Sequence, residues 1–191
     1  MQRRRFVTAT AVATALGAAH LVQAAPPATG RATRLFVVKA GASRFGERTP
    51  FRGVNPNDLK VSGRDTGGAL AVFEYVGTQR VGPSLHVHFE QDELFYVVEG
   101  EYLFRVGDEE FTARPGDTVF GPRNVPHAWL QLTDTGKIVY QVQPAGTLEQ
   151  FFSAVSRLQG PPTAAAMQQL HQAHGMKVVG PPLALKEPAL R

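Results

Sequence analysis

The 191 residues are enough for one ordinary domain with a single sizeable core and exclude two large ones. Lys and Arg total 20 against 16 Asp and Glu, but residues 1–24 hold three arginines and no acid. The remaining 17 basic against 16 acidic residues leave +1 without a dense basic cluster, which argues against nucleic acid as the main partner. The absence of cysteine excludes disulfide frameworks, thiolate metal sites and cysteine nucleophiles, so any metal must be held by imidazole and carboxylate.

In chain order, the first segment has the layout of an export signal over residues 1–24. Arg3-Arg4-Arg5 precedes an apolar run from Phe6 to Val22 that is diluted by threonines and His20, and small residues close it around Ala24. The run is shorter than the roughly 20 residues that span a bilayer, so removal is expected instead of anchoring, with no membrane contact afterwards. Arg3-Arg4 with Phe6 resembles a twin-arginine signal, which would send the protein to the periplasm or outside the cell. An ordinary secretory signal is the alternative.

Residues 25–68 read as an N-terminal strand, Leu35-Phe36-Val37-Val38, followed by an aperiodic arm over 41–68 that is expected to pack over a neighbouring copy. From 69 to 145 the texture is all-β: short apolar segments cut by Gly, Pro and Asp turns. Strands are expected at 69–76, 84–89, 93–98, 102–106, 110–113, 118–120, 127–132 and 138–143. Over 146–191, Leu148, Phe151, Phe152, Val155 and Leu158 fall at helical spacing, with Gly160-Pro161-Pro162 as the stop. A second helix is expected over 163–174, ending at Gly175, and then an extended tail. A homodimer is expected, because the face carrying Leu94, Tyr96 and Val98 needs a cover.

The chemistry concentrates in two short stretches. His86 and His88 stand two apart in a strand, so both rings leave one face roughly 6.5–7 Å apart at the backbone, a usable metal pair. Glu93 follows at an odd separation. Residues 89–92 must therefore turn the chain if its carboxylate is to join the two rings. His127, opening a later strand after Pro126, can supply a third imidazole. Trp129 and Gln131 share the parity of His127, and Phe95 and Val97 that of Glu93, so all four are candidates for a substrate pocket or for core filling. Arg123 can fix an anionic substrate oxygen at the barrel mouth or sit in a solvated turn. His171 and His174 sit on adjacent turns of the last helix, where they can hold a metal or, the reading favoured here, form a solvated helix face.

Gly82 to Gly100, GPSLHVHFEQDELFYVVEG, resembles the first cupin motif, and Gly116 to Gln131, GDTVFGPRNVPHAWLQ, is similar to the second. Three residues separate Gly82 from His86 instead of the usual five. Asn124 stands where the motif has glycine, and Gln131 where it has asparagine. The whole chain resembles the single-domain bacterial cupins grouped with quercetin 2,3-dioxygenase. The resemblance implies a double-stranded β-helix, a jelly-roll barrel with C-terminal helices, in which His86, His88, Glu93 and His127 hold one divalent transition metal. Iron, manganese, nickel, cobalt and copper suit such a set, and zinc suits a non-catalytic version of it.

The activity it implies is that of a metal-dependent dioxygenase acting on an enolic or phenolic, flavonol-like small molecule. In the family's dioxygenases the glutamate takes the substrate's hydroxyl proton and makes an enolate that O2 attacks, which gives Glu93 a catalytic role as well. A non-catalytic small-molecule-binding cupin and a cupin isomerase or epimerase are the alternatives.

Overall fold

The computed structural model describes residues 30–185, so the export signal and its cleavage site lie outside the described residues. Ten strands run in the order β1 (Asn57–Val61), β2 (Ala71–Gly77), β3 (Ser84–His88), β4 (Asp92–Glu99), β5 (Tyr102–Val106), β6 (Glu109–Ala113), β7 (Thr118–Gly121), β8 (His127–Gln131), β9 (Gly136–Gln143) and β10 (Met176–Pro182). Three helices accompany them: α1 (Gly63–Thr66), α2 (Leu148–Ser156) and α3 (Ala164–Ala173). One sheet has the order β1-β2-β9-β4-β7, the other β10-β3-β8-β5-β6, and every neighbouring pair is antiparallel.

Alternation explains how the sheets close on each other. In β2 and β9 every second residue is buried, and in β4 Glu93, Phe95 and Val97 point in while Tyr96 and Val98 point out. The inward residues form three layers that follow from the strand register. Glu93 pairs with Val142, and His86 with His127, at one end of the barrel. Phe73, Phe95, Phe104, Trp129 and Tyr140 fill the middle, with Phe73 stacked on Tyr140 at 5.2 Å and Phe95 edge-on to Phe104 at 5.3 Å. Tyr75, Tyr102, Val97, Ile138 and Gln131 fill the far end. There the Tyr75 hydroxyl donates to Gln131 Oε1 at 3.0 Å and accepts from Asn55 Nδ2 at 2.6 Å. Burial pushes the Tyr75 phenol up to about 12.

Three expectations need correction. Leu35-Phe36-Val37-Val38 is not a strand: Leu35 is 94% and Val37 69% exposed, because β1 already holds the edge this segment would have joined. Residues 41–68 are not an aperiodic arm. They supply β1 and α1, and Phe51 enters the barrel's side to stack on Trp129 at 5.4 Å. The Arg44 guanidinium binds Asp65 through two hydrogen bonds of 2.9 and 3.0 Å and lies 3.9 Å over the Phe36 ring. The tail is also more than extended chain, since β10 pairs with β3 and covers the outer edge of the strand that carries two histidines.

The helices cover the gap between the β1 and β10 edges. Ser62 caps α1, with its side chain accepting from Arg64 N–H and the Asp65 carboxylate accepting from Ser62 N–H. Glu149, in the first turn of α2, accepts from Gly63 N–H at 2.6 Å and from the Ser62 hydroxyl at 2.8 Å, which ties the two helices together. α2 buries Leu148 and Phe151 and lays Phe152 edge-on against Phe73. α3 starts at Thr163, whose hydroxyl accepts from Ala166 N–H, and packs beside β10. No helix among the described residues is long and apolar enough to cross a membrane.

Candidate metal centre

Register brings the ligands together. His86 sits directly opposite His127 on β8, and His88 lies two residues further on the same face of β3. β3 ends at His88 and β4 starts at Asp92, so the intervening turn moves the chain to the other sheet and delivers Glu93 facing inward. Gly121 stands opposite Glu93 on β7, beside the His127 ring. A Cβ there would lie 3.4 Å from His127 Nδ1. The ligand atoms of His86, His88, Glu93 and His127 all fall within 4.8 Å of one another, and all four residues are buried.

The hydrogen bonds fix the tautomers. His86 Nδ1 lies 2.9 Å from Ser84 O, His88 Nδ1 3.0 Å from Gln91 Oε1 and His127 Nδ1 3.2 Å from Val125 O. Each of these oxygens is a carbonyl, which only accepts, so each Nδ1 carries the proton and each Nε2 keeps its lone pair for the cluster. The Gln91 amide is oriented by its own donor, since Nε2 donates to Ala145 O at 2.7 Å. Three imidazole lone pairs thus face the Glu93 carboxylate, whose Oε2 is 2.9 Å from His127 Nε2 and 3.6 Å from His88 Nε2. Acceptors packed this closely in a dry barrel repel unless a cation or a proton sits between them, and the donor set fits a divalent cation. Burial, reinforced by His127 and His88, holds the His86 imidazole well below its ordinary value. Burial also lowers His88, against an opposing pull from Glu93. Both rings are thereby kept in the neutral, ligating form.

The other expected site residues lie elsewhere. Phe95, Val97, Trp129 and Gln131 do point into the barrel as their parity implied, but they sit in the filled layers beyond the cluster. Arg123 is at the rim, where its side chain bridges both Asp92 oxygens at 2.7 and 3.1 Å, so its charge is already matched. That guanidinium holds the Asp92 carboxyl down at about 2. Asn124, in the motif's glycine position, has φ 65°, a left-handed conformation that asparagine tolerates better than most residues, and its N–H donates to His88 O at 2.8 Å.

Two residues were missed. Gln91, three after His88, positions that ring, and the only sequence signal is an amide inside the ligand turn. His171, read as solvated, is 8% exposed, with its ring centroid 6.1 Å from that of His86. The helical spacing that puts Met167, Leu170 and His171 on one face of α3 was the available sign.

Residues 72–140 match the family model described as "Cupin domain", and the two-sheet barrel around them is a cupin double-stranded β-helix. No curated protein sequence matches the chain. Solved structures similar to parts of it include the TT1209 protein of Thermus thermophilus, at 26% identity and TM-score 0.39, covering 41% of this chain and 75% of that one. KdgF from Halomonas sp. is similar at 15% identity and TM-score 0.48, over 59% of this chain and 94% of that one. An RmlC-like cupin from Shewanella frigidimarina is similar at 22% identity and TM-score 0.46, over 52% and 84%.

Proposed function

We propose that the protein is a metal-dependent dioxygenase acting on an enolic or phenolic, flavonol-like small molecule. The observation that supports this reading is Glu93, the one anionic group among the converging donors, buried with Oε2 within 2.9 Å of His127 Nε2. His86, His88, Glu93 and His127 would hold one divalent ion of iron, manganese, nickel, cobalt or copper, with zinc as the non-catalytic case. Such an ion supplies the positive charge that makes a hydroxyl placed beside it more acidic. Glu93 accepts that hydroxyl proton, leaving an enolate whose carbon is electron-rich enough for O2 to attack. The three imidazoles would hold the ion beside the carboxylate, and the aromatic layer of Phe95, Phe104 and Trp129 keeps water from entering beneath it.

The test is elemental analysis of the purified protein, followed by O2 consumption with a panel of flavonols, catechols and enols. Metal-dependent O2 uptake with one of them is expected. Tight binding without turnover would point to a binding module, and conversion without O2 uptake to an isomerase or epimerase.

Two further readings belong to this proposal. The protein is exported by the signal at residues 1–24, which mass spectrometry of the exported form would show as a start near Ala25. It is also a homodimer in which a second copy covers Tyr96, Val98 and Phe120, outward residues of the paired strands β4 and β7 that are 46%, 42% and 56% exposed. Light scattering at micromolar concentration decides, and a monomer there would remove this reading.

A further inference from the structure

His171 is a fourth buried imidazole beside the cluster, and the ligand set does not use it. It lies on α3, 6.1 Å from His86 between ring centroids, and its ring is edge-on to Phe151 of α2 at 4.7 Å. Two contacts therefore hold it in one orientation. Its Nδ1 lies 2.8 Å from Met167 O, a carbonyl one helical turn back, so Nδ1 carries the proton and Nε2 the lone pair. Nε2 is on the side of the ring away from the helix backbone, and no group of the described residues hydrogen-bonds to it. It does not belong to the set of ligand atoms that converge within 4.8 Å.

A fixed acceptor that the protein leaves without a donor is a group waiting for one from outside. We propose that His171 is a substrate-recognition residue: Nε2 accepts a hydrogen bond from a hydroxyl or N–H that the small molecule carries next to the oxygen it presents to the metal centre. This deepens the metal-centre reading and rests on it. The chemical class selected is a compound with a metal-binding oxygen and an adjacent donor, and analogues in which that donor is methylated are disfavoured. The hydrogen bond to this fixed acceptor, made by one compound and lost by its methylated analogue, is the source of the discrimination, as with any site built to bind a particular polar group.

The experiment uses the cobalt(II)-loaded full chain and two probes read by the visible cobalt bands, benzohydroxamic acid and N-methylbenzohydroxamic acid. Both offer the same pair of oxygens, and only the first keeps an N–H beside them. Wild type is expected to favour the N–H probe over its methylated partner roughly tenfold more than His171→Phe does, the effect of about one hydrogen bond. His171→Gln, which retains an acceptor oxygen, should keep part of that preference. Cobalt content and affinity should be equal in all three proteins, because His171 is not a ligand.

An unchanged probe preference in folded His171→Phe would overturn the proposal, and so would loss of cobalt in that variant, which would make His171 a ligand. If His171→Phe does not fold, His171→Leu, which also lacks the acceptor, takes its place. There, loss of the wild-type preference supports the acceptor role and an unchanged preference rejects it. A protein that binds both probes as described but takes up no O2 with any substrate would refute the dioxygenase reading and leave His171's role intact. Failure to bind cobalt at all would overturn both.

Discussion

Replacing Gln91 by Leu tests whether the ligand set depends on its supporting shell. Gln91 is buried, and its amide both receives the His88 Nδ1 proton at 3.0 Å and donates to Ala145 O at 2.7 Å. Leu has nearly the same shape and neither function. Two buried groups, the His88 N–H and the Ala145 carbonyl, would then lose their partners, at a cost of about 1–3 kcal/mol each in the folded protein. The His88 ring would also lose the contact that keeps its proton on Nδ1, so part of the population would present Nε2–H to the cluster in place of a lone pair. Loss of such a supporting hydrogen bond lowers metal affinity by roughly 10–100-fold, or about 1.4–2.7 kcal/mol.

The assay is competition for cobalt or zinc against a chelator of known affinity, with the melting temperature of the metal-free protein measured alongside. Gln91→Glu serves as the companion, since a carboxylate still accepts from Nδ1 and only the donations to Ala145 O and Pro144 O are lost. The expected order of affinity is wild type, then Gln91→Glu, then Gln91→Leu. A folded Gln91→Leu protein with metal affinity within twofold of wild type would refute the tautomer argument.

His86→Ala, His88→Ala and His127→Ala should each lose the bound ion by elemental analysis; retained metal in both His86→Ala and His127→Ala would show that the ligand set is misassigned. Metal-loaded Glu93→Gln should lose at least roughly 100-fold in turnover, the lower end of the cost of removing a general base, whereas activity per bound metal near wild type would reduce Glu93 to a ligand. The metal-free protein should lose stability as pH falls below about 6.5. Unfolding returns His86, His88 and His171 from their lowered values to ordinary ones, so the unfolded chain binds more protons in that range and the stability present above it drains away. A melting temperature flat from pH 7.5 to 5 would contradict this. Gly82→Ala should destabilise by about 3 kcal/mol in chemical denaturation, because the new Cβ collides with the backbone carbonyl of Trp129, which cannot move as a side chain tip would. A loss below about 0.5 kcal/mol would show that the strands can part there.

The barrel strands were readable because their alternation is strict and their turns are marked by Gly, Pro and Asp. β5 coincides with its expected span, and the other seven expected strands differ from theirs by one or two residues at the ends. The convergence of His86, His88, Glu93 and His127 was readable from strand parity together with the two motifs. What stayed hidden depends on tertiary neighbours. Asn57–Val61 lacks a regular pattern, since Asn57 and Asp58 are both buried, and it becomes a strand only because β2 offers an edge. Met176–Pro182 ends in two prolines, which argue against a strand, yet β10 lies at the sheet's edge, where missing donors cost little. His171 looks like one polar residue on a polar helix, and its burial comes from where α3 docks.

The pairing of β10 with β3 also orders events during synthesis. His88 lies opposite Met176, so one edge of the strand bearing two ligands stays open until about 90 further residues have been made. At ordinary elongation rates that is roughly 5–20 s, during which His86 and His88 exist without the segment that shields them. A nascent chain therefore carries an exposed histidine pair, and the enclosed cluster forms only when β10 arrives. Any ion enclosed there would thus be chosen where β10 closes over β3.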